Sequence, residues 1–171
     1  IEANEIENDI NKQNYKVLSI KSSSRKTKPR APFTTSSLQQ DSSSRLRLSP
    51  SRTMALAQQL FQGINLGNGE EGLITYMRTD STALSNESLG EIKNYVNKSY
   101  GDNYYESRKY KTKSANAQEA HEAIRPTSIN RTPDSIKSFL DDDQFKLYDL
   151  IWKRTVASQM SESVNKRTTI I

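Results

Sequence analysis

Gly72-Leu73-Ile74-Thr75-Tyr76-Met77-Arg78-Thr79-Asp80-Ser81 is the stretch on which the reading of this chain turns. Its apolar half, Leu73 to Met77, passes directly into a hydroxyl, a guanidinium and a carboxylate. The run predicts a short buried strand, with Gly67, Gly69 and Gly72 marking the turn before it. In a strand, Tyr76, Arg78 and Asp80 fall on one face. Most of the surrounding pattern has helical spacing. One short strand set among helices predicts a mainly α fold.

Upstream, Ser49 suits an N-cap and Pro50 the first helical position. Met54, Leu56, Ala57, Leu60 and Phe61 follow at helical spacing and Gly63 closes the helix. An earlier helix begins near Thr35, where Thr and Ser hydroxyls can cap it, and ends before or within the serines at 42–44. Two short helices joined by a turn in a basic region form a helix-turn-helix-like pair, an arrangement also common in purely structural settings. Residues 15–21 alternate as a strand, and residues 22–32, rich in Ser, Lys and Pro, read as a connector. Downstream, Ser85 caps a predicted helix over 86–99, with Leu89, Ile92, Val96 and Tyr100 on one face. Residues 103–114 read as loop or irregular strand, 115–124 as a short helix, Thr132-Pro133 as the start of another, and 142–160 as the last. The chain starts at Ile1 and ends on a strand-like Thr168-Thr169-Ile170-Ile171, so both ends are expected to lie inside a longer protein.

The 171 residues contain no cysteine, which excludes disulfide scaffolds, thiolate zinc sites and thiol catalysis. Hydrophobic residues make up 33% and mean hydropathy is −0.84, polar for a self-sufficient core. No apolar run has the length of a membrane span. The net charge of +5 is unevenly spread. Residues 16–55 hold nine basic side chains (Lys16, Lys21, Arg25, Lys26, Lys28, Arg30, Arg45, Arg47, Arg52) against the single acid Asp41. Such a segment suits either a polyanion-facing surface or a solvated linker.

Two constellations can carry chemistry. A tyrosine hydroxyl beside an arginine fork suits phosphoryl transfer: the phenol needs electrostatic help to attack, and a guanidinium can hold phosphate oxygens bidentately. A phenolate also leaves more readily than an alkoxide, so a tyrosine–phosphate bond can store a broken backbone link. The same residues equally describe a core tyrosine followed by an ordinary ion pair. The second constellation is Ala120-His121-Glu122-Ala123-Ile124-Arg125-Pro126-Thr127. On a helix, His121 and Arg125 share a face, and the single histidine can donate to a phosphate or serve as a structural cap. One histidine without cysteine partners makes a poor metal site.

Residues 72–81 resemble the active-site signature of type IA DNA topoisomerases, and residues 120–127 resemble a second block of that family. Ala31-Pro32-Phe33-Thr34-Thr35-Ser36-Ser37-Leu38-Gln39-Gln40 and Ile151-Trp152-Lys153-Arg154-Thr155-Val156-Ala157-Ser158-Gln159-Met160 agree as well, in the same order. The resemblance covers about residues 31–161. It implies that Tyr76 attacks a phosphodiester and holds a 5′-phosphate, that Arg78 and His121 contact phosphate, and that Asp80 and Arg125 act behind them. Arg45, Arg47 and Arg52 are expected to contact DNA, mainly single-stranded. It further implies a helical domain over 31–161, hung from a β-rich arch to which 1–30, with its basic linker, and 162–171 belong. A monomer working in the bacterial cytoplasm at the nucleoid, or in an organelle, is the corresponding expectation, with no membrane or small-molecule partner. The family's Mg²⁺ is held by an upstream acidic domain that nothing here resembles, so the 171-residue piece is expected to be inactive alone. Residues 42–49 also lack the turn glycine expected of the family. The alternative is a non-catalytic basic helix-turn-helix module, which needs neither the run after Tyr76 nor the His121 block.

Overall fold

The helices begin where hydroxyl and carboxylate side chains can satisfy free backbone N–H groups. In the computed structural model, which describes residues 2–13, 15–67, 69–110 and 122–171, Thr34 caps α2 (Thr35–Asp41). The Thr34 side chain accepts from the Ser37 N–H, and the Ser37 hydroxyl accepts from the Thr34 N–H at 2.9 Å, a reciprocal box with serine in place of the usual glutamate. Ser49 caps α3 (Pro50–Gln62), with proline in the first turn and Gly63 after the last. Ser85 caps α4 (Asn86–Tyr100), and Pro133 opens α5 (Pro133–Ile136). Asp141 caps α6 (Asp142–Ser158) through a full capping box with Gln144. Asp142 and Asp143 in its first turn complement the helix dipole.

Between α2 and α3 the chain makes a π-helical turn, Ser42–Leu46, ended by Arg47 at φ 58°. The glycine missing from residues 42–49 is thus replaced by an arginine in the left-handed region, which L-residues enter at a cost.

Lys28–Glu162 form the larger of two units. Its core gathers Phe33, Leu38, Leu56, Leu60, Leu73, Ile74, Met77, Ile92, Ile124, Ile129, Leu147, Ile151 and Trp152, all nearly or wholly excluded from solvent. α3 lies on α6 and α2 on α3. Two buried aromatics carry their polar ends to carbonyls, Tyr148 to Arg131 at 2.7 Å and Trp152 to Ile129 at 3.0 Å. Burial pushes the Tyr148 phenol well above its ordinary value, so it serves as a neutral donor. A small hairpin, β2 (Ile64–Asn65) with β3 (Glu70–Glu71), follows α3.

Several expectations are corrected. Leu73–Met77 is not a strand: Ile74 makes one isolated bridge to Pro126 and the rest is irregular. Residues 122–124 are extended rather than helical, because Ile124 bridges Phe33. The remainder of the helix expected at 115–124 lies outside the described residues. Tyr100 ends α4 half exposed instead of joining Ile92 and Val96 in the core. α6 stops at Ser158, since Gln159 leaves helical geometry.

The smaller unit is Ile1–Thr27 with Ser163–Ile171. β1 (Ile20–Thr27) pairs antiparallel with β4 (Ser163–Ile170) from Ile20↔Ile170 to Thr27↔Ser163. The strand expected at 15–21 therefore lies later and includes much of the expected connector. Its serines are poor strand formers, but the ladder with β4 supplies their hydrogen bonds, and Ser22 and Thr168 also meet through their hydroxyls at 3.3 Å. α1 (Glu2–Asn11), which the sequence reading did not foresee, has no buried residue. Overall the chain is mainly α, as expected.

Candidate active site

Residues 72–81 are a loop held on both sides by backbone and hydroxyl groups. On one side, the Leu73 N–H donates to Leu60 at 2.7 Å, where α3 ends. On the other, the Thr127 N–H donates to Leu73 at 3.0 Å and the Thr75 N–H to Arg125 at 2.9 Å. The Thr75 hydroxyl donates to the Ala123 carbonyl at 2.7 Å and accepts from the Arg125 N–H at 3.0 Å. Beyond Tyr76, Thr35 takes over. Its N–H donates to the Thr79 carbonyl at 2.9 Å, and its hydroxyl accepts the Thr79 N–H at 2.9 Å. The hydroxyl oxygen is within donating distance of the Met77 and Thr79 carbonyls, at 2.8 and 3.1 Å. The Thr79 hydroxyl in turn accepts from Ser81, and the Ser81 hydroxyl from Ala83.

This arrangement buries every second residue. Met77, Thr79 and Ser81 point inward while Tyr76, Arg78 and Asp80 are exposed. The alternation expected of a strand is present, although its cause is the docking of a loop. Tyr76 is 47% exposed, and its ring leans edge-on against Phe61 at 5.4 Å between centroids. Among the described residues, the Tyr76, Arg78 and Asp80 side chains form no hydrogen bond or ion pair, and Asp80 does not pair with Arg78. A phenol and a guanidinium on adjoining outward positions of a pinned loop can engage one phosphate together.

Arg125 is committed elsewhere. Its guanidinium donates twice to Glu122, at 3.1 and 2.6 Å, and to the Pro126 carbonyl at 2.9 Å. The other oxygen of Glu122 accepts the Ser85 N–H at 2.7 Å, supplying from outside α4 the bond a capping box would make within it. Burial would raise the Glu122 carboxyl, but hydrogen bonding from Ser85 and the charge of Arg125 outweigh it and hold the group below its ordinary value. The helix-face relation expected between His121 and Arg125 fails at the arginine, which is not helical. His121 itself lies outside the described residues.

The three arginines expected to face DNA differ. Arg45 pairs with Asp41 at 3.4 Å and Arg52 with Asp143 at 3.0 Å, both largely in solvent, while Arg47 is exposed. Arg45 also lines a cleft of about 540 Å³ with Arg30, Lys146, Lys153 and Arg154. Arg154 is held by Asp41 and lies 4.2 Å over the Phe33 ring. Burial lowers its pKa and Asp41 opposes that shift. Sequence reading missed Thr35, whose hydroxyl it took only as a possible cap, and Glu122, whose signal was an acid three residues before Arg125. Among the described residues no three Asp, Glu or His side chains converge as a metal site.

A sequence profile of the family described as DNA topoisomerase matches residues 1–171. The protein named DNA topoisomerase 1 of Rickettsia bellii is 48% identical over 165 residues, which are 95% of this chain and 21% of that protein. DNA topoisomerase 1 of Helicobacter pylori strain 26695 is 44% identical over 171 residues, 99% of this chain and 23% of its own. The chain thus spans about a fifth of the length of these curated relatives. The solved structure of full-length topoisomerase I from Thermotoga maritima superposes with a TM-score of 0.78 at 40% identity, covering 97% of this chain and 26% of that one. The match over the whole chain, from the profile and the relatives together, establishes that this chain belongs to the DNA topoisomerase family.

Proposed function

We propose that this chain is the nucleophile-bearing segment of a type IA topoisomerase that relaxes supercoiled DNA. The Tyr76 oxygen attacks a backbone phosphorus, a new phosphorus–oxygen bond forms, and the bond to the 3′ oxygen breaks. The phenolic proton is matched in the products by that of the freed 3′ hydroxyl. The 5′ end is left on Tyr76 as a phosphotyrosine, and the reverse reaction reseals the strand after another has passed. Arg78 holds the phosphate oxygens as charge builds on them. His121 contacts a neighbouring phosphate. Asp80 orients Arg78 once DNA is bound, and Arg125, through Glu122, fixes the 122–127 segment to the start of α4.

The observation that carries this reading is the pinned loop that leaves Tyr76 and Arg78, two residues apart, both exposed to solvent, in a chain of this family. Unlike Tyr148, which is buried with its phenol bonded to a carbonyl, Tyr76 is half exposed with no hydrogen-bond partner among the described residues. Residues 31–161 serve as the helical domain, with the α2–α3 pair as its helix-turn-helix-like element. Residues 1–30 and 162–171 serve as parts of the arch. DNA, mainly single-stranded, meets Arg45, Arg47 and Arg52, and the working protein is a monomer of the cytoplasm or an organelle. Mg²⁺ belongs to an acidic domain outside this chain. The described residues do not form a fitting site for it. The 171-residue chain alone is inactive on this reading.

In the full-length enzyme, Tyr76→Phe abolishes the covalent protein–DNA adduct seen after denaturation, with non-covalent binding nearly intact. Arg78→Lys, which keeps the charge but loses the fork, slows cleavage. An adduct formed by Tyr76→Phe at the normal rate would remove the phenol from the chemistry.

A further inference from the structure

Thr35 lies outside the loop that carries Tyr76, yet both hydrogen-bonding groups of the Thr79 backbone end on it. The Thr79 N–H reaches its hydroxyl, and the Thr79 carbonyl accepts from its N–H, each at 2.9 Å. The Met77 carbonyl accepts from the same hydroxyl at 2.8 Å. These are the residues on either side of Arg78. No strand ladder fixes this backbone, and the Thr35 hydroxyl is the side-chain group that ties both flanks of Arg78, at Met77 and at Thr79. Met77 and Thr79 are buried beneath the loop, and their groups have no water to turn to if the hydroxyl is removed.

We infer that Thr35 is a positioning residue for phosphoryl transfer: its hydroxyl sets the aim of Arg78, and through Met77 the seat of Tyr76. The inference rests on the proposed reading of Tyr76 and Arg78. Thr35 touches neither DNA nor the reacting atoms on this account. It acts by holding the donor at the place where charge develops, and displacements well below a bond length matter there.

The test uses the full-length enzyme with a single-stranded oligonucleotide, measuring the single-turnover rate of adduct formation and the oligonucleotide affinity separately. Thr35→Val keeps the shape and removes the hydroxyl, so cleavage is expected to slow by about tenfold or more, with affinity changed by less than about twofold. Thr35→Ser keeps the hydroxyl and restores the rate. Thr35→Ala removes the hydroxyl without adding bulk, and gives the same slow cleavage if the valine variant is not recovered folded. Because Thr35 acts in large part through Arg78, its loss costs less in an Arg78→Ala background than in the wild type. Cleavage at the normal rate by the valine or alanine variant, an equally slow serine variant, or fully additive losses with Arg78→Ala would each overturn the inference. Failure of the underlying reading is distinct, since it appears as an adduct formed by Tyr76→Phe.

Discussion

Tyr76 owes its position to a neighbour with no side chain. A Cβ built on Gly72 would sit 2.7 Å from the Phe61 carbonyl oxygen, closer than a carbon and an oxygen can approach. The carbonyl belongs to the last turn of α3, and the Phe61 ring is the surface against which Tyr76 leans. Gly72→Ala must therefore move the loop or the helix end, and overpacking of this kind costs about 1–3 kcal/mol. The urea midpoint of the chain should fall accordingly, and an unchanged midpoint would show that the backbone yields freely there. Sequence reading marked Gly72 only as part of a turn. A close approach between residues eleven apart needs the packing of the loop on α3, which spacing does not reveal. The outward set of Tyr76, Arg78 and Asp80 was legible, because alternating burial leaves its trace in residue types whatever the backbone's hydrogen-bond partners.

At the scale of elements, α3, α4 and α6 were read closely because each carries its own start signal, in Ser49, Ser85 and Asp141, and its own apolar stripe. The loop was misread as a strand for the converse reason. Its partners, the first residue of α2 and the irregular 122–127 segment, lie far off in sequence, and short apolar runs do not say what will pair with them. β1 was displaced likewise, since serines become a strand only when β4 supplies the ladder. The turn between α2 and α3 yields a prediction of two signs. Arg47 holds φ 58°, which glycine adopts without strain, so Arg47→Gly should stabilise the fold by about 0.5–1 kcal/mol after glycine's larger chain entropy is subtracted. If Arg47 also meets a phosphate, the same variant should bind single-stranded DNA more weakly, and its salt dependence (log K against log salt) should be shallower by about 0.7. Thermal unfolding and a salt titration read the two effects independently. A lower melting temperature would contradict the strain argument, and an unchanged salt slope would remove Arg47 from the DNA surface.

For the larger unit as a whole, the segments that hold the Tyr76 loop come from three separate stretches of chain, and Glu122 ties one of them, the 122–127 segment, to the start of α4. The acid was visible in the sequence, but its partner Ser85 lies 37 residues away, so the link could not be read from spacing. The link makes stability depend on pH in a definite direction. Burial opposes the charged form of Glu122, but hydrogen bonding from Ser85 and the charge of Arg125 more than offset it, so the folded pKa is lowered. A lowered carboxyl binds fewer protons folded than unfolded, so stability rises with pH across the interval between the two values. The contribution is therefore complete above the unfolded carboxylate range and is lost as pH falls through the lowered folded value. Other carboxylates also titrate in acid, which makes the useful quantity the difference between wild type and Glu122→Gln. The glutamine variant should be less stable at pH 7, where it lacks the charge that Arg125 requires. The gap in urea midpoint between the two proteins should stay constant from pH 7 to about pH 5, then narrow from there toward pH 3 as wild-type Glu122 takes up its proton. A gap that does not vary with pH would mean that Glu122 acts by shape and hydrogen bonding alone, and a gap that widens in acid would reverse the assigned direction of its pKa.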